Sequence, residues 1–309
     1  MHYTETVYRP AFEGDVPLLQ VTTGCSYNKC SFCSMYRDTP FRASPMEEVE
    51  EDLQELRETY DYMPRLFLVN GDPFALSTDR LARIGERICD RFPEIETISC
   101  FAHIPNVYNK SVEDLKLLRS LHFNQPNFGV ESGLDAALHM FHKGYNVQDV
   151  YEQLGKLNEA GMQFSMNLTL GSQGYGRYQE LAAANAKLLN TLQPYLFFTT
   201  TLYSMPGCAL YETMTLGEFE ENCLSQLIAE EIELLSQLEL KDTIFWGLHP
   251  SNPIPFDGHF PEDKDTVIQV LQTMLRILPP AMLSRPPQRG AEGGILYPPE
   301  MGLSEKFER

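Results

Sequence analysis

Short apolar runs and helical spacings take turns along this chain. Residues 18–23 (LLQVTT) predict a strand. Met46, Val49, Leu53, Leu56 and Tyr60 then recur at helical spacing, and Ser44, Pro45 and Glu47 predict a capping box in front of them. Residues 65–70 (RLFLVN) predict a second strand, followed by a helix that Ser77 starts and that carries Leu81, Ile84 and Ile88 on one face. A third strand is expected over 95–101, then a helix capped by Ser111 with Leu115, Leu118 and Leu121. A fourth is expected over 127–131 (NFGVE), then a helix capped by Asn146, with Val150, Leu154 and Leu157, closed by Gly161. Residues 162–170 and 195–203 predict the fifth and sixth strands, with a helix over 178–192 between them.

Six strand–helix units in succession are the pattern of a parallel sheet with right-handed crossovers. Six rather than eight predict an α/β fold of the partial (β/α)6 barrel kind, over residues 1–210. The rhythm stops after Tyr203. Residues 211–309 read as a mainly helical extension capping the barrel and shaping its substrate site. It comprises an acidic amphipathic helix over 217–240, a short strand over 243–248, a helix over 263–278 and a Pro- and Gly-rich extended tail over 279–309.

Charge narrows the function. With 24 basic and 43 acidic residues the formal charge is −19, which repels phosphate backbones and disfavours a nucleic-acid substrate. The acidic runs 47–58 and 218–233 read as solvated helix faces. No charged start followed by an apolar run marks a signal peptide, and no apolar stretch reaches the roughly 20 residues of a membrane span, so a cytoplasmic protein without membrane attachment is expected. In that reducing compartment the seven cysteines point to thiols or metal ligands rather than disulfides.

Three of them, Cys25, Cys30 and Cys33, lie within nine residues, on the loop that follows the first strand and therefore at the C-terminal mouth, where such barrels keep their chemistry. Three thiolates suit three irons of a cubane cluster, and the absence of a fourth ligand leaves one iron open. Structural zinc prefers four ligands in paired knuckles; no second pair is present, although His103 could complete a zinc site.

With these residues in place, the chain resembles the radical S-adenosylmethionine superfamily over about residues 15–210. The usual cysteine spacing there is three residues then two; here it is four then two (CX4CX2C), with the aromatic residue before the last cysteine kept as Phe32. Asn70-Gly71-Asp72-Pro73 resembles the segment whose backbone and acidic side chain hold the methionine amino group. Gly129-Val130-Glu131-Ser132-Gly133 and Phe141-His142-Lys143-Gly144-Tyr145 are similar to the branch containing oxygen-independent coproporphyrinogen oxidases and methylthiotransferases. There the residue matching Glu131 contacts the ribose and the one matching Lys143 the methionine carboxylate. Asn167 matches a ribose-facing position. Residues 202–207 (LYSMPG) match a segment whose backbone meets adenine, near Phe32.

The resemblance implies a [4Fe–4S] cluster that reductively cleaves S-adenosylmethionine, yielding a 5′-deoxyadenosyl radical that takes hydrogen from a small or medium organic substrate. It also implies a flavodoxin or ferredoxin as electron donor. The cations in and just after the cysteine loop, Lys29, Arg37 and Arg42, are the expected docking patch for an acidic donor. His249, in the segment His249-Pro250-Ser251-Asn252, and His103 are the candidate catalytic groups, each able to donate a proton near the mouth. Three other readings remain: a coproporphyrinogen-oxidase-like decarboxylase, a tRNA methylthiotransferase weakened by the acidic charge, and a non-catalytic iron–sulfur or zinc-binding protein.

Overall fold

The computed structural model describes residues 1–290 and 293–297; the rest of the expected tail, residues 291–292 and 298–309, lies outside the described residues. In chain order the elements are β1 (Leu18–Gln20), β2 (Thr22–Thr23), β3 (Arg42–Ala43), α1 (Met46–Thr59), β4 (Arg65–Val69), α2 (Thr78–Arg91), β5 (Thr97–Ala102), α3 (Val112–Ser120), β6 (Asn127–Glu131), α4 (Asp135–Met140), α5 (Val147–Glu159), β7 (Ser165–Leu170), α6 (Tyr178–Leu192), β8 (Leu196–Thr201), α7 (Ala209–Thr215), α8 (Leu224–Ser236), β9 (Thr243–Trp246), β10 (Asp257–Phe260), α9 (Lys264–Ile277) and α10 (Pro280–Leu283). The chain divides into two compact units. One comprises Met1–Lys29, Met35–Val130 and Gln148–Met166; the other comprises Cys30–Ser34, Glu131–Val147 and Asn167–Arg309.

In the first unit the strands run β1-β4-β5-β6. The pairs are parallel, with Leu19 opposite Leu68, Leu68 opposite Cys100, and Phe101 opposite Asn127. Strands covered on both faces read as unbroken apolar runs, and β4 is buried from Leu66 to Val69. The aromatic rings of this core meet edge to face, Phe67 on Phe101 at 5.3 Å and Phe74 on Phe128 at 6.3 Å between centroids. Ser77 and Ser111 cap α2 and α3 as the sequence predicts, Ser111 in a capping box with Asp114. The box expected at Ser44 does not form: Pro45 takes the cap position of α1. The Ser44 N–H is committed to Val21 O at 3.0 Å, which ties the residue to the strand region and leaves the helix to start after it.

In the second unit the order is β7-β8-β9-β10. β9 joins β8 in parallel, while β10 returns antiparallel on β9, a strand the sequence pattern did not indicate. Across these three strands Phe197 stacks on Phe245 at 4.8 Å, and Phe260 meets both rings at 5.6–5.9 Å. Helix α8 packs on α6 and α9. Of the single helix expected over 217–240 only α8 forms, from Leu224 to Ser236, and α7 ends before that span at Thr215. Gly217 sits at φ +75°, outside the right-handed helical region, and α8 begins seven residues later. Nor is the acidic run 218–233 all solvated: Glu230 and Glu231 are fully buried. The tail begins with the short α10 and forms an antiparallel bridge between Arg289 and Ile295. Among the described residues no helix is long and apolar enough to cross a membrane.

Candidate cofactor and substrate site

The cysteine loop leaves β2 through Gly24, whose φ of +61° and whose contact with the Thr39–Pro40 backbone leave no room for a Cβ. Cys25 is half-buried and its Sγ accepts from Asn28 N–H at 3.5 Å. Cys30 and Cys33 are also half-buried, and Cys33 N–H donates to Cys30 O at 3.4 Å. None of the seven cysteines is in a disulfide. Among the described residues no group of three or more His, Cys, Asp or Glu side chains is gathered around one metal position. The chemistry of the donor set, three part-exposed thiols on a glycine-started loop, nonetheless suits an iron–sulfur cluster.

The end of β4 presses on this loop. A Cβ on Gly71 would stand 2.1 Å from Gly24 O and 2.7 Å from Cys25 Cα. Asn70 is fully buried; its Nδ2 donates to Gln20 Oε1 at 3.2 Å, and its Oδ1 has no partner among the described residues. Pro73 opens a buried 3-10 turn, Pro73–Ala75. Asp72 is buried and holds the loop directly: its Oδ1 accepts from Ser26 N–H at 2.8 Å and its Oδ2 from Ser26 Oγ–H and from Asn106 Nδ2. Burial raises its pKa against the lowering effect of those bonds. His103, at the end of β5, is buried with its ring tilted on Tyr27 at 4.6 Å.

In the second unit, β6 ends on Glu131 at φ +72°, a conformation uncommon for a residue with a side chain and one that tends to mark functional positions. Glu131 Oε1 faces Lys143 Nζ at 3.4 Å, and Oε2 accepts from Asn167 Nδ2 at 2.8 Å and Thr169 Oγ1–H at 2.7 Å. Asn167 Oδ1 in turn accepts from Thr200 Oγ1–H at 3.4 Å. Lys143 and Glu131 are both buried, and Lys143 lies 5.8 Å from the rings of Phe32 and Tyr145. Burial lowers the Lys143 pKa, but Tyr145, Cys30 and Glu131 outweigh it and hold the ammonium above its ordinary value. Phe32 meets Phe141 edge to face at 4.9 Å in an apolar cluster with Leu202 and Leu210. Met205 is exposed.

The His249–Asn252 segment splits by role. Asn252 is a buried anchor, with Nδ2 donating to Thr199 O and Gly247 O and Oδ1 accepting from Thr201 Oγ1–H. Ser251 is buried too and accepts from Thr201 N–H at 3.0 Å. Ser251 N–H donates to His249 Nδ1 at 3.2 Å, so Nδ1 is the acceptor and Nε2 carries the proton. Burial, and then the Arg289 charge, lower the His249 pKa, which keeps the ring neutral. Arg289 itself donates to Ser251 O, Gly293 O and Leu202 O and lies over the Tyr203 ring. His259, on edge strand β10, is instead held at the surface by Asp242 and Glu262.

The sequence pattern singled out Asp72, Glu131, Lys143 and Asn167 but passed over Ser26, Asn106, Thr169 and Thr200. Thr169 was findable, since it stands two residues after Asn167 on one strand face. Ser26 and Asn106 carry no signal beyond being polar loop residues.

The radical SAM superfamily model matches residues 19–180. Among curated proteins none matches the chain. Solved structures share its fold at low identity. Coproporphyrinogen III oxidase (HemN) from Escherichia coli, a radical SAM enzyme, is 15% identical over 72% of this chain and 53% of its own, with a TM-score of 0.52. Methylornithine synthase (PylB) is 14% identical over 88% of this chain and 82% of its own, also at 0.52. The radical S-adenosylmethionine methyltransferase TsrM from Kitasatospora setae, with cobalamin and a [4Fe–4S] cluster bound, is 16% identical over 60% of this chain at 0.48; the chain spans only 36% of that protein. By a family match over more than half its length, the chain belongs to the radical S-adenosylmethionine superfamily, which uses a [4Fe–4S] cluster and S-adenosylmethionine.

Proposed function

We propose that the protein is a radical S-adenosylmethionine enzyme acting on a small or medium organic substrate, with Cys25, Cys30 and Cys33 as the cluster ligands. When bound, the cluster and S-adenosylmethionine supply reductive cleavage to a 5′-deoxyadenosyl radical for hydrogen abstraction. The chain's own residues bind and orient. Lys143 offers a buried ammonium to the methionine carboxylate, Glu131 and Asn167 offer acceptors and a donor to ribose hydroxyls, and the Asn70–Pro73 backbone with Asp72 meets the amino group. Phe32 supplies an apolar face for the base. The observation that carries this reading is the Glu131–Lys143–Asn167–Thr169 cluster. It is a buried ion pair whose hydrogen bonds converge on the Glu131 carboxylate, and a ligand-binding role accounts for the desolvation cost of keeping it there.

His249 is assigned to the substrate: a neutral ring that accepts at Nδ1 and carries its proton on Nε2 is a hydrogen-bond donor. His103, stacked on Tyr27 beside the cysteine loop, is the second such group. Residues 211–309 carry the His249 segment and so shape specificity. The reductant is a flavodoxin or ferredoxin docking at Lys29, Arg37 and Arg42, all exposed.

The test is anaerobic reconstitution with iron and sulfide, reduction, and addition of S-adenosylmethionine. A cluster EPR signal that changes on that addition, with 5′-deoxyadenosine formed, is expected. A signal unchanged by S-adenosylmethionine, with no cleavage, sinks the proposal. Replacing all three cysteines by Ala abolishes iron uptake, whereas His249→Gln leaves 5′-deoxyadenosine formation intact.

A further inference from the structure

Lys110 belongs to none of the motifs above, yet it is one of the buried charges of the first unit, 4% exposed. Its Nζ donates to three main-chain carbonyls: Phe74 O at 2.9 Å, Leu76 O at 3.0 Å and Asn106 O at 2.9 Å. An ammonium has three N–H donors, and all are used. Among the described residues no carboxylate stands within ion-pair distance of it. Burying a cation without a counter-ion costs free energy, and an apolar side chain of similar length would fill the space more cheaply. What the lysine adds is geometric. Phe74 and Leu76 lie in and after the turn that follows β4, and Asn106 lies in the Ile104–Val107 turn that follows β5. Lys110 therefore ties together the loops at the C-terminal ends of two adjacent strands.

The tie continues. Asn106 Oδ1 accepts from His103 N–H at 2.6 Å, which fixes the amide so that its Nδ2 donates to Asp72 Oδ2 at 3.2 Å. Asp72 holds both the N–H and the hydroxyl of Ser26, the residue after Cys25. Three of the roughly four acceptor sites of that carboxylate are thereby occupied. Gly71, next to Asp72, touches Gly24 and Cys25 through the backbone.

We propose that Lys110, acting through Asn106 and Asp72, is a positioning residue that fixes the Cys25 end of the cysteine loop for the cluster. The inference rests on the reading that Cys25 is a cluster ligand. It gives Asp72 a duty to the protein's own loop besides its duty to the cofactor.

The test uses the full chain, reconstituted anaerobically, and follows loss of the cluster's visible absorption after addition of EDTA, with iron per chain at the start. Ser26→Ala and Asn106→Ala each remove one hydrogen bond to Asp72 Oδ2. Each is expected to speed cluster loss by about tenfold, the scale of one hydrogen bond to a charged group. The double variant should fall well short of the product of the two single effects, because both act through one carboxylate, which the Ser26 N–H still holds in each variant. Lys110→Met should speed loss likewise. Single effects that multiply in the double variant would overturn the tether, since independent structural damage adds. So would loss at the wild-type rate in Ser26→Ala and Asn106→Ala. A wild-type chain that takes up no iron instead removes the cluster reading, and the tether with it.

Discussion

Gly71 has no room for a side chain, because the Gly24 carbonyl and the Cys25 backbone occupy the place a Cβ would take. Gly71→Ala must therefore push the cysteine loop, at a cost on the scale of overpacking, about 1–3 kcal/mol. Reduced iron uptake on reconstitution, with the apo-protein still folded by circular dichroism, is the expected result. Lys143 makes a different kind of residue-scale claim. Lys143→Met leaves Glu131 buried with hydrogen bonds from Asn167 and Thr169 but, among the described residues, no cation, which costs about 3–5 kcal/mol. Urea unfolding should show that loss, and Glu131→Gln in the same chain should recover part of it. These residues were legible in the sequence because Gly71 is a missing side chain at a strand end and Lys143 a charge at a set spacing from the strand-ending Glu131. Lys110 was not. Its role depends on three carbonyls from segments 30 or more residues away or in the adjacent turn, and no spacing rule reports carbonyls.

At the scale of elements, periodicity placed β4, β6 and α6 within a residue or so, because each is a long apolar run or stripe bounded by turns. It failed where an apparent polar face is buried. Helix α8 carries Glu230 and Glu231 inward: Gly171 N–H donates to both oxygens of Glu230, and Thr199 Oγ1–H donates to Glu231 Oε1 at 3.2 Å. Glu231 Oε2 has no partner among the described residues. A sequence reading takes two adjacent glutamates as solvated, because partners distant in sequence are invisible to it. Burial pushes the Glu231 pKa up to about 8 and raises that of Glu230 well above the ordinary carboxylate range. The folded chain thus binds more protons than the unfolded one between about pH 4.5 and 8, and stability falls as pH rises through that window. Glu231→Gln cannot ionise. It should flatten the dependence, matching wild type near pH 4.5 and exceeding it above neutral by a margin on the order of a few kcal/mol. Melting temperatures across pH 4.5–8.5 measure this; a parallel decline in both chains would remove Glu231 as the cause.

For the molecule as a whole, a formal charge of −19 sets the terms on which the proposed acidic electron donor can approach. Beyond the Debye length of about 8 Å at physiological salt the overall repulsion is screened, so docking depends on the charges at the contact itself. Lys29, Arg37 and Arg42 put three exposed cations in and just after the cysteine loop, while the acidic excess is carried elsewhere, as on the exposed Glu47, Glu51, Glu55 and Glu58 of α1. Reversing two of the three, as in the Arg37→Glu and Arg42→Glu double variant, replaces a local attraction with a second repulsion. Flavodoxin-driven formation of 5′-deoxyadenosine should then slow by about tenfold or more, the low end of what electrostatic steering contributes. Cleavage driven by dithionite, which needs no protein interface, should remain near wild type. Raising ionic strength separates the two interactions further. In the wild type it should slow the donor-driven rate by screening the patch, and in the variant it should speed that rate by screening the new repulsion. Opposite slopes for the two proteins place the donor at these residues, whereas equal loss with both reductants would show that the substitutions damage the cysteine loop itself.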